Sequence, residues 1–365
     1  MSTEMSRISD KDAYFLRTVI AGLVLLLPII NFRIRRMLVS LVARQRVSLL
    51  SLRQHDDYAK VSGLFIYPVK SLKAVSLTSS KLDERGLVND RRFMIVCPNP
   101  PPLHGGPVDV AYHFVTQRQY PALATVVATL NDTILTLTKG KDSVVIDMSL
   151  LDDGSMKYRA RIWDDVVEVV DVGDDAASFL RKVVTEKGVR LVAMSPGDRR
   201  SADDNYVPPE ARTWTGGVPR VALSDGFPVL VACTASLEEL NRRLTQKGKK
   251  PIPMNQFRPN IVIVTTRPFE EDTWKVIQIG DTVLHLVKGC PRCKQSCTDQ
   301  LSGKVSEEPL VTLREFRALG YSKEDVYFAQ NAVPHDVGTT LTVGATVKIL
   351  KRGDPVWDKE KVQAE

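Results

Sequence analysis

Three of the five cysteines in this chain fall within eight residues, in the run Cys290-Pro291-Arg292-Cys293-Lys294-Gln295-Ser296-Cys297. Thiolates bind soft metal ions, carry redox chemistry or act as nucleophiles, so this cluster has more chemistry to explain than any other stretch. The odd total, with Cys97 and Cys233 far from the cluster, is unlike the evenly spaced framework of a small secreted domain. The cysteines therefore indicate a reducing compartment, with the folded part facing the cytosol.

Several kinds of site compete for this cluster. A zinc site could use the three cysteines and His285, but structural zinc usually takes two ligand pairs and the chain has no second Cys-x-x-Cys pair. An iron–sulfur cluster needs four thiolates, so Cys97 or Cys233 would have to join. A thioredoxin-like pair needs a βαβ context, whereas the flanking residues predict strand and loop. Cysteines that merely pack in a core are the remaining alternative.

The elements that must position these cysteines are mostly strands. Short runs rich in β-branched and apolar residues predict a mainly β molecule with peripheral helices (α+β), in two parts that meet near residue 188. The predicted strands are 61–67, 75–82, 92–96, 122–130, 133–138, 143–148, 157–170, 261–265, 282–287 and 346–350, with an Asn131-Asp132 hairpin turn. The predicted helices are 174–186, 236–245 with a capping box of Ser236 and Glu239, and 310–318. Residues 98–107, rich in proline and glycine, predict a loop.

The N-terminal residues predict a separate membrane anchor. Residues 18–32 are uncharged and strongly apolar, and with 14–17 they approach the ~20 residues of a spanning helix. The basic run that begins at Arg33 places the following bulk in the cytosol by the positive-inside rule. No small-residue cleavage site follows, which argues against a cleaved signal peptide, and a buried core helix is the other alternative. We expect residues 1–57 to form an anchor and its basic flank, suited to the mitochondrial outer membrane, with the endoplasmic reticulum as the alternative.

The net charge of +7 and a pI of about 9.1 favour anionic partners, such as phosphate-bearing cofactors, acidic proteins or a membrane surface. Nucleic acid is not favoured, because the chain has neither zinc-finger spacing nor a basic helix with interleaved aromatic residues.

Six motifs in order resemble the MOSC proteins, and specifically the mitochondrial amidoxime-reducing component family, over roughly residues 59–352. They are Tyr67-Pro68-Val69-Lys70-Ser71, Asp90-Arg91-Arg92-Phe93, Thr116-Gln117-Arg118-Gln119-Tyr120-Pro121, Leu223-Ser224-Asp225-Gly226-Phe227-Pro228, Phe257-Arg258-Pro259-Asn260, and Cys290-Pro291-Arg292-Cys293 followed by Asp299 and Gly303. The resemblance implies a MOSC N-terminal β-barrel domain over residues 58–187, a MOSC domain over 188–355 and a tail over 356–365.

The resemblance also implies a molybdenum–molybdopterin cofactor with Cys293 as the thiolate ligand of molybdenum. Asp299 would be a proton relay or a group that supports the cofactor, and a plain turn role before Gly303 is an equal alternative. The implied cofactor-binding residues are Lys70, Ser71, Arg92, Ser224, Asp225, Arg258, Arg292 and Asn331. Gly226 and Asn331 depart from the residue types common in the family, and Cys297 receives no role.

The implied reaction is the reduction of N-oxygenated compounds such as amidoximes, hydroxylamines and N-oxides. The chain has no ferredoxin-like cysteine set or flavin motif, so electrons would come from a partner. In the family this is cytochrome b5 with its NADH-dependent reductase, and the basic charge of the chain would steer the acidic cytochrome. The alternatives are a molybdenum-cofactor carrier, a sulfur-transfer MOSC protein and a zinc-stabilised binding module.

Overall fold

The structure is a computed structural model that describes residues 58–99, 110–151, 156–212 and 217–359, all of which belong to one compact unit. The predicted anchor and basic flank, most of the predicted loop at 98–107 and the last residues of the predicted tail lie outside the described residues. Within the described ranges, every helix is too short or too polar to pass through a membrane.

Nineteen strands are the main regular elements of the described chain. They are β1 Tyr58–Ile66, β2 Val75–Leu77, β3 Ser79–Asp83, β4 Gly86–Leu87, β5 Phe93–Pro98, β6 Tyr112–Phe114, β7 Val127–Asn131, β8 Ile134–Lys139, β9 Asp142–Asp147, β10 Lys157–Ile162, β11 Asp165–Asp171, β12 Arg190–Met194, β13 Val229–Cys233, β14 Ile261–Val264, β15 Trp274–Ile279, β16 Thr282–Pro291, β17 Tyr327–Pro334, β18 Thr340–Thr342 and β19 Thr346–Arg352.

Helices are few and short among the described residues. The α-helices are α1 Asp174–Leu180, α2 Pro209–Arg212, α3 Thr234–Gln246 and α4 Leu310–Arg314, and 3-10 helices cover Pro121–Thr125, Met148–Leu150, Met254–Phe257, Glu270–Thr273 and Lys294–Cys297. The prediction of a mainly β molecule with β-barrels and few helices is confirmed.

The larger barrel joins the first and the last strands of the described chain. Its strand order is β14-β13-β17-β16-β15-β19-β1, and β1 pairs back onto β14 to close the ring. Tyr58 of β1 lies opposite Lys348 of β19, and Leu64 lies opposite Ile261 of β14. Buried apolar side chains from all around the ring fill the interior, which stabilises the closed barrel through their removal from water.

The smaller barrel is built from one continuous stretch of chain, in the order β10-β11-β12-β5-β6. Strand β5 is buried on both faces because other elements pack against each side of it. Alternate side chains point to opposite faces of a strand, so they enter two different apolar clusters. Met94 and Val96 pack inside this barrel, whereas Ile95 and Cys97 pack outward under α1 and the separate β7-β8-β9 sheet.

Two of the predicted strands are each two strands in the structure. Residues 75–82 divide into β2, which pairs with β1, and β3, which pairs with β18 and β4. Residues 157–170 form the antiparallel β10–β11 hairpin, with a turn at Trp163 in the left-handed conformation (φ 57°). Residues 122–130 begin as a 3-10 helix before β7. The β7–β8 hairpin at Asn131-Asp132 is confirmed, whereas the sequence patterns do not predict β13 and β17.

The predicted capping box of helix 236–245 is wrong. The α3 helix begins earlier, with Cys233 as its N-cap and no side-chain cap hydrogen bond. The Ser236 hydroxyl instead donates to the buried carboxylate of Glu271 (2.7 Å), and Glu239 accepts hydrogen bonds from two arginines of its own helix. A hydrogen bond to an ionisable buried carboxylate is stronger than one to a neutral backbone N–H at a helix end, so tertiary contact overrides the local motif. The other two predicted helices end early, α1 at Leu180 and α4 at Arg314.

Candidate functional site

The three clustered cysteines have three different environments. Cys290 lies at the end of β16 and accepts a hydrogen bond on its sulfur from Arg292 Nη1 (2.9 Å). Cys297 is buried, and its thiol donates to the carbonyl of Glu307 (3.5 Å). Cys293, in extended backbone just before the 3-10 helix, is exposed. Burial raises the pKa of both Cys290 and Cys297, which favours their protonated thiols, so Cys293 is the cysteine that is open to a ligand.

Lys70 and Asp225 form an ion pair whose lysine end is buried and whose carboxylate end faces solvent, and this exposed side of Asp225 is the opening of the site. The Lys70 ammonium is buried and pairs with Asp225 Oδ1, to which the Trp163 indole Nε1 also donates (3.0 Å). The Asp225 side chain stays 63% exposed, and its Oδ2 accepts no hydrogen bond from any described residue. Desolvation raises the pKa of Asp225, but Lys70 and the two hydrogen bonds outweigh it and hold that pKa below its usual range. Burial lowers the pKa of Lys70.

Arg200 fixes the loop that carries Asp225. Its guanidinium donates to the backbone carbonyls of Ala222 (2.9 Å), Ser224 (2.5 Å) and Asp225 (2.7 Å), and it pairs with Asp165 (2.6 Å). The Ser224 hydroxyl donates to the Phe227 carbonyl (2.9 Å) and so holds the turn rather than facing outward. Arg200 lies outside every motif of the sequence, and no spacing pattern identifies it.

Two arginines sandwich the buried ring of Tyr67. The guanidinium carbons of Arg91 and Arg258 each lie 4.2 Å from the ring centroid, and the Tyr67 hydroxyl donates to the Pro259 carbonyl (3.1 Å). Burial raises the pKa of Tyr67 to about 12 and lowers that of Arg258 to about 10. The phenol therefore stays neutral and both guanidinium groups stay charged at physiological pH.

Two buried glutamines link four of the sequence motifs. Gln117 Nε2 donates to the Ser71 carbonyl (2.7 Å) and to Gln300 Oε1 (3.1 Å), which also accepts from Arg258 Nη1 (3.2 Å). Arg258 Nη1 donates in turn to the Leu72 carbonyl (2.7 Å). The Lys70-Ser71 segment, Gln117, Arg258 and the chain just after Cys293 therefore meet in one hydrogen-bonded group.

The other predicted site residues have contacts of their own. Arg92 pairs with Asp83 (2.5 Å), and it is the neighbouring Arg91, paired with Asp90, that contacts Tyr67. Asn331, on β17, donates weakly to the Gly289 carbonyl (3.5 Å). The predicted roles of Arg92 and Asn331 stay predictions.

Asp299 holds a turn. Its Oδ1 accepts from the backbone N–H groups of Leu301 (3.0 Å) and Ser302 (2.7 Å) and from the Ser302 hydroxyl (2.8 Å). The Ser302 hydrogen bonds lower the pKa of this carboxyl, so it is ionised at neutral pH. These contacts are those of the turn alternative before Gly303, and a proton-relay role stays a prediction.

Unpaired arginines set this region apart from the rest of the described chain. Every other described arginine that is buried or half-buried has a carboxylate partner within 4 Å, whereas Arg118, Arg258 and Arg292 have none. A guanidinium removed from water without an anion is costly, so such groups usually acquire one. All three unpaired groups lie around Lys70, Asp225 and the cysteine segment.

Unsatisfied polar atoms in the same region add to this picture. The Ser71 hydroxyl and Arg292 Nε are buried and have no hydrogen-bond partner, and Ser71 adopts a left-handed backbone conformation (φ 70°). Orphaned donors, unpaired guanidinium groups, the free Oδ2 of Asp225 and an exposed thiol together fit an anionic group that carries several donors and acceptors and a thiophilic metal. Among the described residues, no three His, Cys, Asp or Glu side chains converge to hold a metal ion.

Comparisons with known proteins show which families the chain is similar to. The profile of the MOSC N-terminal beta barrel domain matches residues 58–187, and that of the MOSC domain matches residues 218–356. The chain is 30% identical to "Mitochondrial amidoxime reducing component 2" of Bos taurus over 84% of each chain. It is 31% identical to the protein of that name from Rattus norvegicus, over 84% of this chain and 85% of the relative. It is also 26% identical to "Molybdenum cofactor sulfurase 2" of Culex quinquefasciatus, over 85% of this chain but 38% of that protein.

Proposed function

This chain belongs to the mitochondrial amidoxime-reducing component family of MOSC proteins, and on that premise we propose that it is a molybdenum-cofactor reductase of N-oxygenated compounds. The substrates would be amidoximes, hydroxylamines and N-oxides. The observation that carries the proposal is a set of three arginines without a carboxylate partner, near Asp225 (Arg118), Gln300 (Arg258) and Cys290 (Arg292), in a site that also has the one exposed thiol of the cysteine cluster. This combination supports a phosphate-bearing, thiolate-ligated cofactor.

Each residue of the site has a proposed role. The Cys293 thiolate would be the protein ligand of molybdenum, and bound molybdenum would supply the two-electron redox chemistry. Arg258 and Arg292 would bind the cofactor phosphate and polar edge, since a guanidinium matches an oxyanion with two parallel N–H groups. The orphaned Ser71 hydroxyl would gain a hydrogen bond from the same group. Arg92, Ser224 and Asn331 remain weaker candidates because their described contacts go elsewhere.

The Lys70–Asp225 pair would orient the cofactor rather than repel it. The Lys70 ammonium neutralises the charge of Asp225 by pairing with Oδ1. The free Oδ2 would then accept hydrogen bonds from pterin N–H groups. Lys70 would keep this carboxylate ionised and supply a point charge. Asp299, close behind the cysteines in sequence and ionised at neutral pH, would accept and relay a proton or support the cofactor.

Electron supply and location complete the proposal. Cytochrome b5 and its NADH-dependent reductase would deliver the electrons, steered by the net positive charge of the chain. The relatives named as mitochondrial support a mitochondrial location. Residues 1–57 would anchor the protein in the outer membrane with the catalytic part in the cytosol, and the endoplasmic reticulum is the alternative. Residues 58–187 would form the MOSC N-terminal domain and residues 188–355 the MOSC domain.

The first test is metal content and turnover with a matched pair of cysteine variants. The full chain, made in a host that synthesises molybdopterin, is expected to hold about one molybdenum atom per chain and to reduce benzamidoxime with cytochrome b5, its reductase and NADH. Cys293→Ser should abolish turnover while the fold persists, because a hydroxyl is a poor ligand for a soft metal. Cys297→Ser, the buried control, should keep most of the activity. Full activity in Cys293→Ser, or zinc in place of molybdenum, would overturn the assignment.

A sulfur-transfer or cofactor-carrier role is the second candidate. It is favoured by the similarity to the molybdenum cofactor sulfurase of Culex quinquefasciatus, of which this chain covers 38%. A carrier would contain molybdenum but would not turn over N-hydroxylated compounds with the reductase chain. Transfer of the cofactor from the purified protein to a cofactor-free molybdenum enzyme would decide in favour of the carrier.

A further inference from the structure

Arg118 presents an unpaired guanidinium beside the opening to Asp225. Its guanidinium carbon lies 4.3 Å from the Trp163 ring centroid and 5.9 Å from that of Phe114. Its Nε makes a long hydrogen bond to Thr116 Oγ1 (3.3 Å). No described residue accepts a hydrogen bond from Nη1 or Nη2 or places a carboxylate within 4 Å. The two terminal nitrogens, side by side on a half-buried group, are therefore free to bind an oxyanion.

The ring beneath Arg118 is held from two sides. Trp163 lies at the tip of the β10–β11 hairpin, where its backbone takes a left-handed conformation that is uncommon for a bulky residue. Its indole donates to Asp225 (3.0 Å) and packs against Phe114, with 5.2 Å between ring centroids. A strained residue kept in one orientation is typical of a functional site. The stack fixes the Arg118 guanidinium at the opening and reduces the entropy that it loses when it binds a ligand.

The charges around Arg118 are unbalanced. Asp225 is the nearby carboxylate, and Arg118 helps to keep its pKa low, yet Asp225 is bonded to Lys70 and Trp163 instead. Two cations thus face one carboxylate at an opening that solvent reaches. One further negative group in the opening would restore the balance.

We propose that Arg118, held on the Trp163 ring, is an oxyanion-recognition residue at the opening of this site. The inference rests on the proposed function and extends it to the chemistry of the bound group. The recognised group is an oxyanion bound by Nη1 and Nη2, and it has two sources: the phosphate of the cofactor, or a carboxylate on an N-hydroxylated substrate.

The test compares Arg118→Gln with the wild-type full chain, with Arg118→Lys and with a matched control, Arg199→Gln. Arg199 is exposed and has no described ion pair. Molybdenum and phosphorus per chain are measured in each protein. Binding of benzamidoxime and of its 4-carboxylate derivative is measured by calorimetry, so that the readout does not depend on turnover.

Each outcome assigns the source or removes the proposal. If the oxyanion is on the substrate, Arg118→Gln weakens binding of the carboxylate about tenfold, leaves benzamidoxime unchanged and keeps full molybdenum content. If it is on the cofactor, molybdenum and phosphorus fall together several-fold. Arg118→Lys, which keeps the charge but not the fork, gives an intermediate effect in either case.

The proposal is overturned if Arg118→Gln matches Arg199→Gln in molybdenum, in phosphorus and in both binding constants. A wild-type protein that holds molybdenum but reduces neither compound would instead contradict the reductase function. The loading and binding measurements would still decide the role of Arg118.

Discussion

Two regions of the larger barrel and its surroundings bury arginine side chains, and they do so in opposite ways. Arg317 forms a two-pronged pair with Asp272 (2.7 and 3.0 Å) and also donates to the Tyr327 carbonyl (2.9 Å), while Gln330 donates to Asp272 (2.7 Å). Arg258 is as deeply buried, yet it donates only to a backbone carbonyl and a glutamine.

The difference separates a completed structural network from an incomplete binding site. In the first region the protein supplies both charges and satisfies the donors of the cation. In the second it supplies cations and leaves the anion to come from outside. A buried ion pair is worth little in net stability but costs a great deal when one partner is removed, whereas an unpaired cation has no such partner to strand.

The largest expected effect is on stability, in the pair Arg317→Met and Arg258→Met. Arg317→Met strands the buried Asp272 carboxylate and should lower the free energy of unfolding by about 3–5 kcal/mol. Arg258→Met strands no carboxylate but removes the donor to two neutral acceptors, the Leu72 carbonyl and Gln300 Oε1, so we expect a smaller loss of about 1–2 kcal/mol in cofactor-free protein. Urea unfolding at pH 7 measures both. Equal losses in the two variants would show that the two regions do not differ in kind.

The pH dependence of stability should show a second difference, at Glu271. This carboxyl lies beside Asp272, whose charge is matched by Arg317, and it is hydrogen-bonded by the Ser236 hydroxyl and the Cys233 thiol without a described ion pair of its own. Burial raises its pKa to about 7 from 4.5. A folded-state pKa above the unfolded value gives stability that is complete below pH 4.5 and lost as the pH rises through 7. Glu271→Gln removes this dependence. The unfolding free energy of the wild type relative to that of Glu271→Gln should fall by about 3 kcal/mol between pH 4.5 and pH 8.

The control for that experiment is how the unfolding free energy of Glu271→Gln itself changes with pH. Its own unfolding free energy should change with pH only through the remaining groups. If wild type and variant give parallel pH profiles, the Glu271 carboxyl is ionised in the fold at neutral pH and the network is more completely paired than the burial indicates.

The smallest effect is expected at Ser71, which has both a left-handed backbone conformation and a proposed role in cofactor binding. Glycine adopts a left-handed conformation without a steric penalty, so Ser71→Gly should stabilise cofactor-free protein by up to about 1 kcal/mol. Ala329→Gly, at another buried left-handed position (φ 70°), is the matched control. Of these two variants, Ser71→Gly alone should also lower molybdenum content, because Ser71 has a buried hydroxyl without a partner and Ala329 has no hydroxyl. Unchanged loading in both variants would separate the strain at Ser71 from cofactor binding.

Short motifs predicted much of the site because each one fixes a local backbone geometry. Lys70, Asp225, Arg258 and the cysteine segment come from four separate motifs, and the structure brings them into one group. The motifs did not predict which of the adjacent residues Arg91 and Arg92 contacts the Tyr67 ring beside Arg258. Arg91 and Arg92 have the same charge and length, and only the left-handed backbone at Arg91 (φ 48°) and the nearby Tyr67 ring and Asp83 separate them.

Long-range pairing explains what the sequence did not predict. Residues 157–170 have apolar and β-branched residues on both sides of Asp164-Asp165, and the turn at Trp163 is stabilised by partners distant in sequence, Phe114 and Asp225. The Ser236 capping box fails for the same reason, because its hydroxyl has a buried partner far along the chain. No local pattern indicates that β1 closes a barrel made mostly of strands from the other half of the chain.

That placement of β1 has a consequence for vectorial synthesis on the ribosome. Strands β5 to β12 are complete before any of β13 to β19 exists, so the smaller barrel can close while the chain is still growing. Strand β1 is the first described strand to emerge, yet its two neighbours in the ring, β14 and β19, are made much later, and β19 is the last of the described strands. The larger barrel therefore closes later in translation than the smaller one, and the segment that carries Cys293 is made before the ring around it can close.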